Sequence, residues 1–336
     1  MRKSLMMSVV LVILAIMVAA CGSAPAATSG GTTGGASAGT PASGSANSQP
    51  AAAPQNEELT IKHQLGEAKV KKNPKTVVVF DYGVLDSLDK LGVEVTGVPQ
   101  SNLPPYLAKY KDAKYKNIGT LMEPDYEKLS ALKPDVIFIS GRQQNAYPEL
   151  NKLAPTIFAG VDNKKFMESF SENMKMLGKV FGKESAVDAE LAKIETTVKG
   201  VKEKASASGK NALVLLANDG ALSAYGPGSR FGLIHDVLGI TAVDKNIEVS
   251  THGQSVTFEY VAQKNPDYLF VVDRGAAVGG SAQSPAKQLI ENELVKKTKA
   301  FTNNGIVYLD PGYWYLSGGG LVSVSEMVNQ VAAAFK

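Results

Sequence analysis

Four arginines occur in this 336-residue chain, and three of them, Arg142, Arg230 and Arg274, fall beyond residue 57. Arg142 and Arg274 each closely follow a run that reads as a strand. Arg230 closes the glycine-rich turn Tyr225-Gly-Pro-Gly-Ser-Arg230, which opens onto a helical pattern. A guanidinium stays charged at every physiological pH, is weakly hydrated, and presents a planar fork of donors to oxygen anions. One isolated arginine is usually just a solvated charge. Three at strand ends or in a helix-opening loop predict a shared anion site, with Tyr225 as a further contact. For a trianionic ligand, each unit-charge pair at ~6 Å contributes roughly 3 kcal/mol at an effective dielectric of ~20. Desolvation removes part of that.

Of the three histidines, His63 in a polar N-terminal strand and His235 on the helix after Arg230 read as structural. His252, in the loop Thr251-His252-Gly253-Gln254, is the candidate ligand. Near the C-terminus, Asp310-Pro-Gly-Tyr313-Trp314-Tyr315 follows a strand pattern and precedes Gly318–Gly320. Three aromatics after a strand end suit the plugging of a lobe. A phenolic oxygen paired with an imidazole also suits Fe(III), a hard cation that favours oxygen donors.

The elements that must position these groups alternate. Apolar or β-branched runs at Val77–Phe80, Val136–Ser140 and Thr156–Ala159 interleave with helical patterns at Gly83–Leu91 and Tyr126–Lys133. The second half repeats that texture. Its strands are Leu213–Ala217, Tyr268–Val272 and Ile306–Leu309, and its helices Phe231–Leu238, Phe258–Lys264 and Gln288–Lys296. Such alternation predicts an α/β fold with mainly parallel sheets covered on both faces. Between the halves, Val187, Leu191, Ile194, Val198 and Val201 recur at steps of four and three, and Gly209 follows. That is one long amphipathic helix with a glycine terminator.

An internal repeat relates the halves. Glu127 precedes Pro134-Asp135 by seven residues, a strand follows, and then comes Arg142. Glu259 stands in the same relation to Pro266-Asp267, the next strand and Arg274. Both Glu-to-Arg separations are fifteen residues. The repeat predicts a helix, a Pro-Asp turn and a strand in each lobe, related by an approximate twofold axis. Each arginine then follows the C-terminal end of a strand, where open α/β sheets bind ligands.

The first residues are not part of this body. Arg2 and Lys3 precede an apolar run, Leu5 to Met17, and then Val18-Ala19-Ala20-Cys21. This describes an export signal, and its ending resembles a bacterial lipobox in which Cys21 is acylated. The run is short for a spanning helix. Cys21 is the only cysteine, so no internal disulfide is possible. Up to Asn56 the chain is Gly, Ser, Ala, Thr and Pro without apolar periodicity, which predicts a flexible tether to a membrane lipid.

A net charge of +3, evenly spread, gives no reason to expect nucleic acid. Walker A and His-Glu-x-x-His patterns are absent from the sequence, and Gly-x-Ser-x-Gly occurs only at Gly35–Gly39 in the Gly/Ser/Ala tract, outside any strand-to-helix turn, so binding is expected and not catalysis.

Four motifs carry a resemblance to a known family: Val-Val-Val-Phe-Asp-Tyr-Gly-Val-Leu-Asp at 77–86, Ser-Gly-Arg-Gln at 140–143, Gly-Ser-Arg-Phe-Gly at 228–232 and Asp-Pro-Gly-Tyr-Trp-Tyr at 310–315. The chain from about residue 58 to its end resembles the helical-backbone binding proteins for cobalamin and ferric siderophores, within them the lipoproteins for ferric catecholates. The resemblance implies two α/β lobes, 58–182 and 209–336, joined by a helix at 183–208; the signal peptide at 1–20 and the tether at 21–57 are read from the residues themselves, and the long tether departs from the family pattern. It implies a cleft lined by Arg142, Arg230 and Arg274. His252 and Tyr313 would ligate iron when a siderophore leaves sites open, although the resemblance does not firmly separate Tyr313 from Tyr315. Glu127 and Glu259 would dock onto an ABC permease served by its ATPase. No intrinsic cofactor is implied; the ligand is a ferric siderophore. A lipid-anchored, extracytoplasmic monomer is expected. The same scaffold holding haem, cobalamin or a hydroxamate siderophore is the alternative, and a tethered surface hydrolase is the alternative of another class.

Overall fold

An antiparallel hairpin starts the body: β1 (Glu58–His63) and β2 (Gly66–Lys71). Its residues alternate between water and core, with Leu59, Ile61, Ala68 and Val70 buried, the period-two pattern of a sheet with one wet face. The computed structural model describes residues 57–279 and 285–335. The expected signal peptide, Cys21 and all of the expected tether before Glu57 lie outside the described residues.

The first lobe holds a five-stranded, wholly parallel sheet in the order β5-β4-β3-β6-β7. Its strands are β3 (Val77–Val79), β4 (Gly97–Val98), β5 (Lys116–Asn117), β6 (Val136–Ile139) and β7 (Thr156–Phe158). β3, β6 and β7 are buried along their whole length, as strands covered on both faces must be. Between them run α1 (Tyr82–Lys90), α2 (Tyr126–Leu132) and α3 (Tyr147–Leu153), and α4 (Phe166–Phe181) follows.

The predicted long helix is α5 (Glu184–Ser208), 25 residues and so roughly 37 Å. Left-handed glycines bracket it: Gly182 (φ 61°) ends α4, and Gly209 (φ 62°) ends α5. Val187, Leu191, Ile194 and Val201 are buried, and Val198 packs against the same core.

The second lobe carries β8 (Asn211–Asn218), β9 (Ala221–Tyr225), β10 (Thr241–Ala242), β11 (Gln254–Val256), β12 (Tyr268–Asp273) and β13 (Ile306–Leu309). They form the order β11-β9-β8-β12-β13, with β10 also on β8. This sheet is mixed. β8 pairs parallel with β10 and β12, but antiparallel with β9. The cause is local: Asp219 and Gly220, at φ 48° and 83°, make the tight turn between β8 and β9. Two successive positive φ values suit a two-residue hairpin turn.

Helices α6 (Phe258–Lys264), α7 (Arg274–Gly279), α8 (Pro285–Ile290), α9 (Lys299–Thr302) and α10 (Leu321–Ala332) complete the chain. Two helical expectations shrink. Phe231–Leu238 is one π-helical turn over Leu233–Val237. Gln288–Lys296 breaks after Ile290, where the Asn292 Oδ1 accepts from the N–H groups of Leu294 (2.9 Å) and Val295 (3.2 Å). Such local acceptance competes with the helix.

The repeat has a structural counterpart. α2 and α6 are both seven residues long, capped by the side chains of Asp125 and Thr257, with Glu127 and Glu259 in their first turns. Both end on a left-handed residue, Lys133 (φ 50°) and Asn265 (φ 44°). The next aspartate then clamps the neighbouring strand. Asp135 Oδ2 accepts from Lys75 and Thr76 ahead of β3, and Asp267 Oδ2 accepts from Asn211 at the start of β8.

One core cluster runs from Leu59 to Phe335 and includes residues of both sheets, α1, α5 and α10. The C-terminal helix α10 packs on α5 and also on α1 of the first lobe. The lobes are therefore joined covalently by α5 and by packing through α10.

Candidate ligand cleft

Arg142 lies on a 3-10 turn, Gly141–Ala146, directly after β6. The turn is fixed by Gln143, whose Oε1 accepts from the Ser140 N–H at 3.2 Å and whose amide donates to the Leu121 carbonyl. Arg230 ends the loop after β9. There the Ser229 hydroxyl donates to the Gly226 carbonyl at 2.5 Å, and the Gly228 N–H donates to Asp236 at 2.6 Å. Arg274 is the first residue of α7, immediately beyond β12.

All three side chains meet at Tyr315, in the π-helical turn Gly312–Ser317 that follows β13. Arg142 Nη2 donates to the Tyr315 carbonyl at 2.7 Å, and its Nη1 to the Leu316 carbonyl at 3.3 Å. Arg230 Nη2 donates to that same Tyr315 carbonyl at 2.5 Å, and its guanidinium lies 4.2 Å from the centre of the Tyr315 ring. Arg274 Nε donates to the Tyr315 hydroxyl at 2.9 Å, and its Nη1 to Asn218 Oδ1 at 2.8 Å. A cation over an aromatic face is attracted by the ring quadrupole. These bonds use a minority of the donors that three guanidiniums carry.

The electrostatics are those of a cationic cluster. Burial, and then the Arg142 charge, lower the affinity of Arg230 for its proton. Burial alone would raise the Tyr315 phenol. The Arg274 hydrogen bond and the Arg230 and Arg274 charges outweigh it, and the phenol falls below its ordinary value. An oxygen anion placed here relieves guanidinium repulsion and takes up unused donors.

The remaining candidates sit around this centre. Tyr225 is buried, edge-on to Phe231 at 4.7 Å between ring centres, and Phe231 lies beneath the Arg230 guanidinium. His252 is exposed in the loop before β11. The adjoining Gly253, at φ 72°, lies so close to the Tyr225 ring that a Cβ would overlap it. Tyr313 is half-buried, with its ring 4.6 Å from that of Tyr106 in the first lobe. Burial, and then the Asp310 charge, raise its phenol above the ordinary value. Tyr315, not Tyr313, is the tyrosine in contact with the guanidiniums. His63 and His235 make internal contacts: His63 lies edge-on to Tyr147, and His235 Nδ1 is 2.9 Å from the Ile240 carbonyl. Glu127 and Glu259 are exposed. The Thr257 hydroxyl holds the Glu259 carboxyl below its usual range.

A separate cavity of about 320 Å³ lies between the hairpin, β7 and α4, lined among others by His63, Asp162 and Glu172. None of the three arginines lines it. Among the described residues no cluster of His, Cys, Asp and Glu has the makings of a metal site, and no helix is long and apolar enough to cross a membrane.

Residues 77–313 match the family model described as periplasmic binding protein. The chain belongs to this family. It is 53% identical over 279 residues to the petrobactin-binding protein YclQ of Bacillus subtilis, covering 82% of this chain and 87% of that one. To the ferric-anguibactin-binding protein FatB of Vibrio anguillarum it is 30% identical, over 83% and 88% of the two chains. The crystal structure of YclQ superposes with a TM-score of 0.81 over 84% of this chain and 99% of that one. The periplasmic catecholate-siderophore binding protein VctP of Vibrio cholerae, 35% identical, superposes with a TM-score of 0.80 over 82% and 100%.

Sequence reasoning missed one partner in this periplasmic-binding-protein cleft and left another undecided. Asn218 ends β8 and holds Arg274; the Asn-Asp-Gly hairpin signal at 218–220 marked its position. Tyr315 stood only as the alternative to Tyr313.

Proposed function

We propose that this protein captures an anionic ferric siderophore of the catecholate type and hands it to an ABC importer. One observation carries the reading: guanidiniums from both lobes, Arg142 from the first and Arg230 and Arg274 from the second, converge on Tyr315. A ferric catecholate brings planar rings and negative charge to the same place, which stacking and charge-assisted donors match. The names of the relatives support the ligand class. A neutral hydroxamate gains little from three charges, which disfavours it against a catecholate. The cluster holds no nucleophile with an adjoining base, so capture without turnover is the reading.

Within that function, His252 and Tyr313 supply iron ligands when the siderophore leaves coordination sites open. Glu127 and Glu259, exposed on the first turns of matching helices in the two lobes, dock onto the permease. Acylation of Cys21 anchors the monomer at the extracytoplasmic face of the membrane. The second bridge through α10 favours a small rocking of the lobes over a wide hinge swing.

The test is a fluorescence titration. Trp314 is the only tryptophan, buried one residue before Tyr315. A panel of ferric siderophores should quench it, catecholates at the lowest concentration. An unchanged signal and no retained iron complex at saturating catecholate would refute the reading.

A further inference from the structure

Asp86 lies in the middle of α1 at 0% exposure. Apart from the hydroxyl of its neighbour Ser87, which donates to Oδ1 at 3.3 Å, its partners come from elsewhere in the chain. Oδ1 accepts from the Val322 N–H at 3.2 Å, and Oδ2 from the Ser323 N–H at 3.0 Å and the Tyr106 hydroxyl at 3.1 Å. Beside it, the Ser87 hydroxyl accepts from the Leu321 N–H at 2.9 Å. The first N–H groups of a helix have no partners within it. For α10 those of Leu321, Val322 and Ser323 are all satisfied by α1, while its own N-cap, Gly320, has no side chain to offer. A Cβ on Gly320 would overlap the Asp86 carboxylate, and one on Gly83 would overlap the Ser317 carbonyl. The approach is as close as glycine allows.

This joint reaches the cleft by two short routes. The Ser323 hydroxyl donates to the Ser317 carbonyl at 3.0 Å, so the first turn of α10 holds the end of the Gly312–Ser317 turn that carries Tyr315. The Tyr106 ring, oriented by its hydroxyl on Asp86, packs 4.6 Å from Tyr313. Stability alone gives a poor reason for this carboxylate. Burial pushes its pKa up to about 7 against the hydrogen bonds it accepts, so its charge is costlier in the fold than in water.

We propose that Asp86 is a positioning residue of the ligand cleft, holding the N-terminus of α10 and the Tyr106 ring so that the segment bearing Tyr313 and Tyr315 keeps its place between the lobes. The proposal rests on the siderophore reading only for the ligand used to measure it.

The experiment compares three variants of the intact protein. Asp86→Asn leaves one oxygen and sets an amide N–H₂ against a backbone donor. Tyr106→Phe deletes only the hydroxyl. Val328→Ala, in the buried face of α10, is the control for general loosening. Thermal midpoint, near-ultraviolet circular dichroism of the free protein and affinity for a ferric catecholate are read for each. Asp86→Asn should weaken binding at least tenfold and Tyr106→Phe about threefold, and both should alter the aromatic spectrum. Val328→Ala, with a comparable drop in midpoint, should bind as wild type. Wild-type affinity and spectra in both Asp86→Asn and Tyr106→Phe overturn the proposal, as does equal loss of affinity in Val328→Ala. Should Asp86→Asn not fold, Tyr106→Phe against Val328→Ala decides. If the wild type binds no ferric catecholate, the ligand reading fails, and the spectra of the free variants still judge Asp86.

Discussion

Arg142 and Arg230 donate to the same acceptor, the backbone carbonyl of Tyr315, at 2.7 and 2.5 Å. One comes from the parallel sheet of the first lobe and the other from the loop after a hairpin in the second. Two like charges are thus gathered on one neutral oxygen, leaving repulsion that a carbonyl dipole offsets only in part. The cleft is preorganised for an anion, and that relationship sets the expected behaviour of its parts.

Replacing Arg142, Arg230 or Arg274 by Ala should each weaken ferric catecholate binding by about 1.5–3 kcal/mol, the range of hydrogen bonds to charged groups. The loss should be larger at low ionic strength. Pairs should fall short of additivity, because the three groups share Tyr315. Titrations at two salt concentrations measure both effects. Full affinity in all three single variants would contradict the anion site.

Tyr315→Phe should cost about 1 kcal/mol, since only the Arg274 bond to the hydroxyl is lost while the ring and the carbonyl remain. Tyr315→Ala also removes the ring beside Arg230 and should cost more. Tyr313→Phe separates the two tyrosines. It should leave a hexadentate chelate unaffected and weaken a tetradentate one, with loss of any phenolate-to-iron absorption band. A uniform loss for both chelates would instead assign Tyr313 to packing.

The Asp86 carboxyl gives the fold a pH dependence of definite sign. Its pKa is about 7 in the folded protein, against an ordinary 3.8. Between those values the folded chain holds a proton that the unfolded chain has released, so stability falls as pH rises, by at most about 1.4 kcal/mol per unit. Above about 7 the contribution is flat. Denaturant unfolding at pH 5 and 7.5 should show wild type gaining on Asp86→Asn at the lower pH. The opposite trend would mean that its hydrogen bonds outweigh burial.

Reversing Glu127 and Glu259 to Lys should abolish uptake of the iron complex into cells while leaving ligand affinity unchanged. Both are exposed on short helices whose cores they do not enter, so thermal stability should move little. Uptake assays set beside titrations check this. Undiminished uptake would remove the docking role.

Much of this was legible without coordinates. Val187, Leu191, Ile194, Val198 and Val201 announced α5 because a stripe at steps of three and four is a local property of the chain. The repeat of Glu127 and Arg142 with Glu259 and Arg274 announced two matching units, because cap, turn and strand each have local chemistry. The mixed sheet escaped, since alternation of strands and helices outweighed one Asp219-Gly220 turn.

What sequence alone determined was therefore which charged groups stand at the ends of which elements. Only the tertiary structure decided that Arg142, Arg230 and Arg274 share Tyr315, that Tyr313 faces Tyr106 instead, and that Asp86 holds α10. The physical reason is range. Propensity and periodicity act over a few residues, whereas these contacts join positions 41 to 237 residues apart. They exist because the sheet order and the packing of α10 across both lobes bring distant loops to one place.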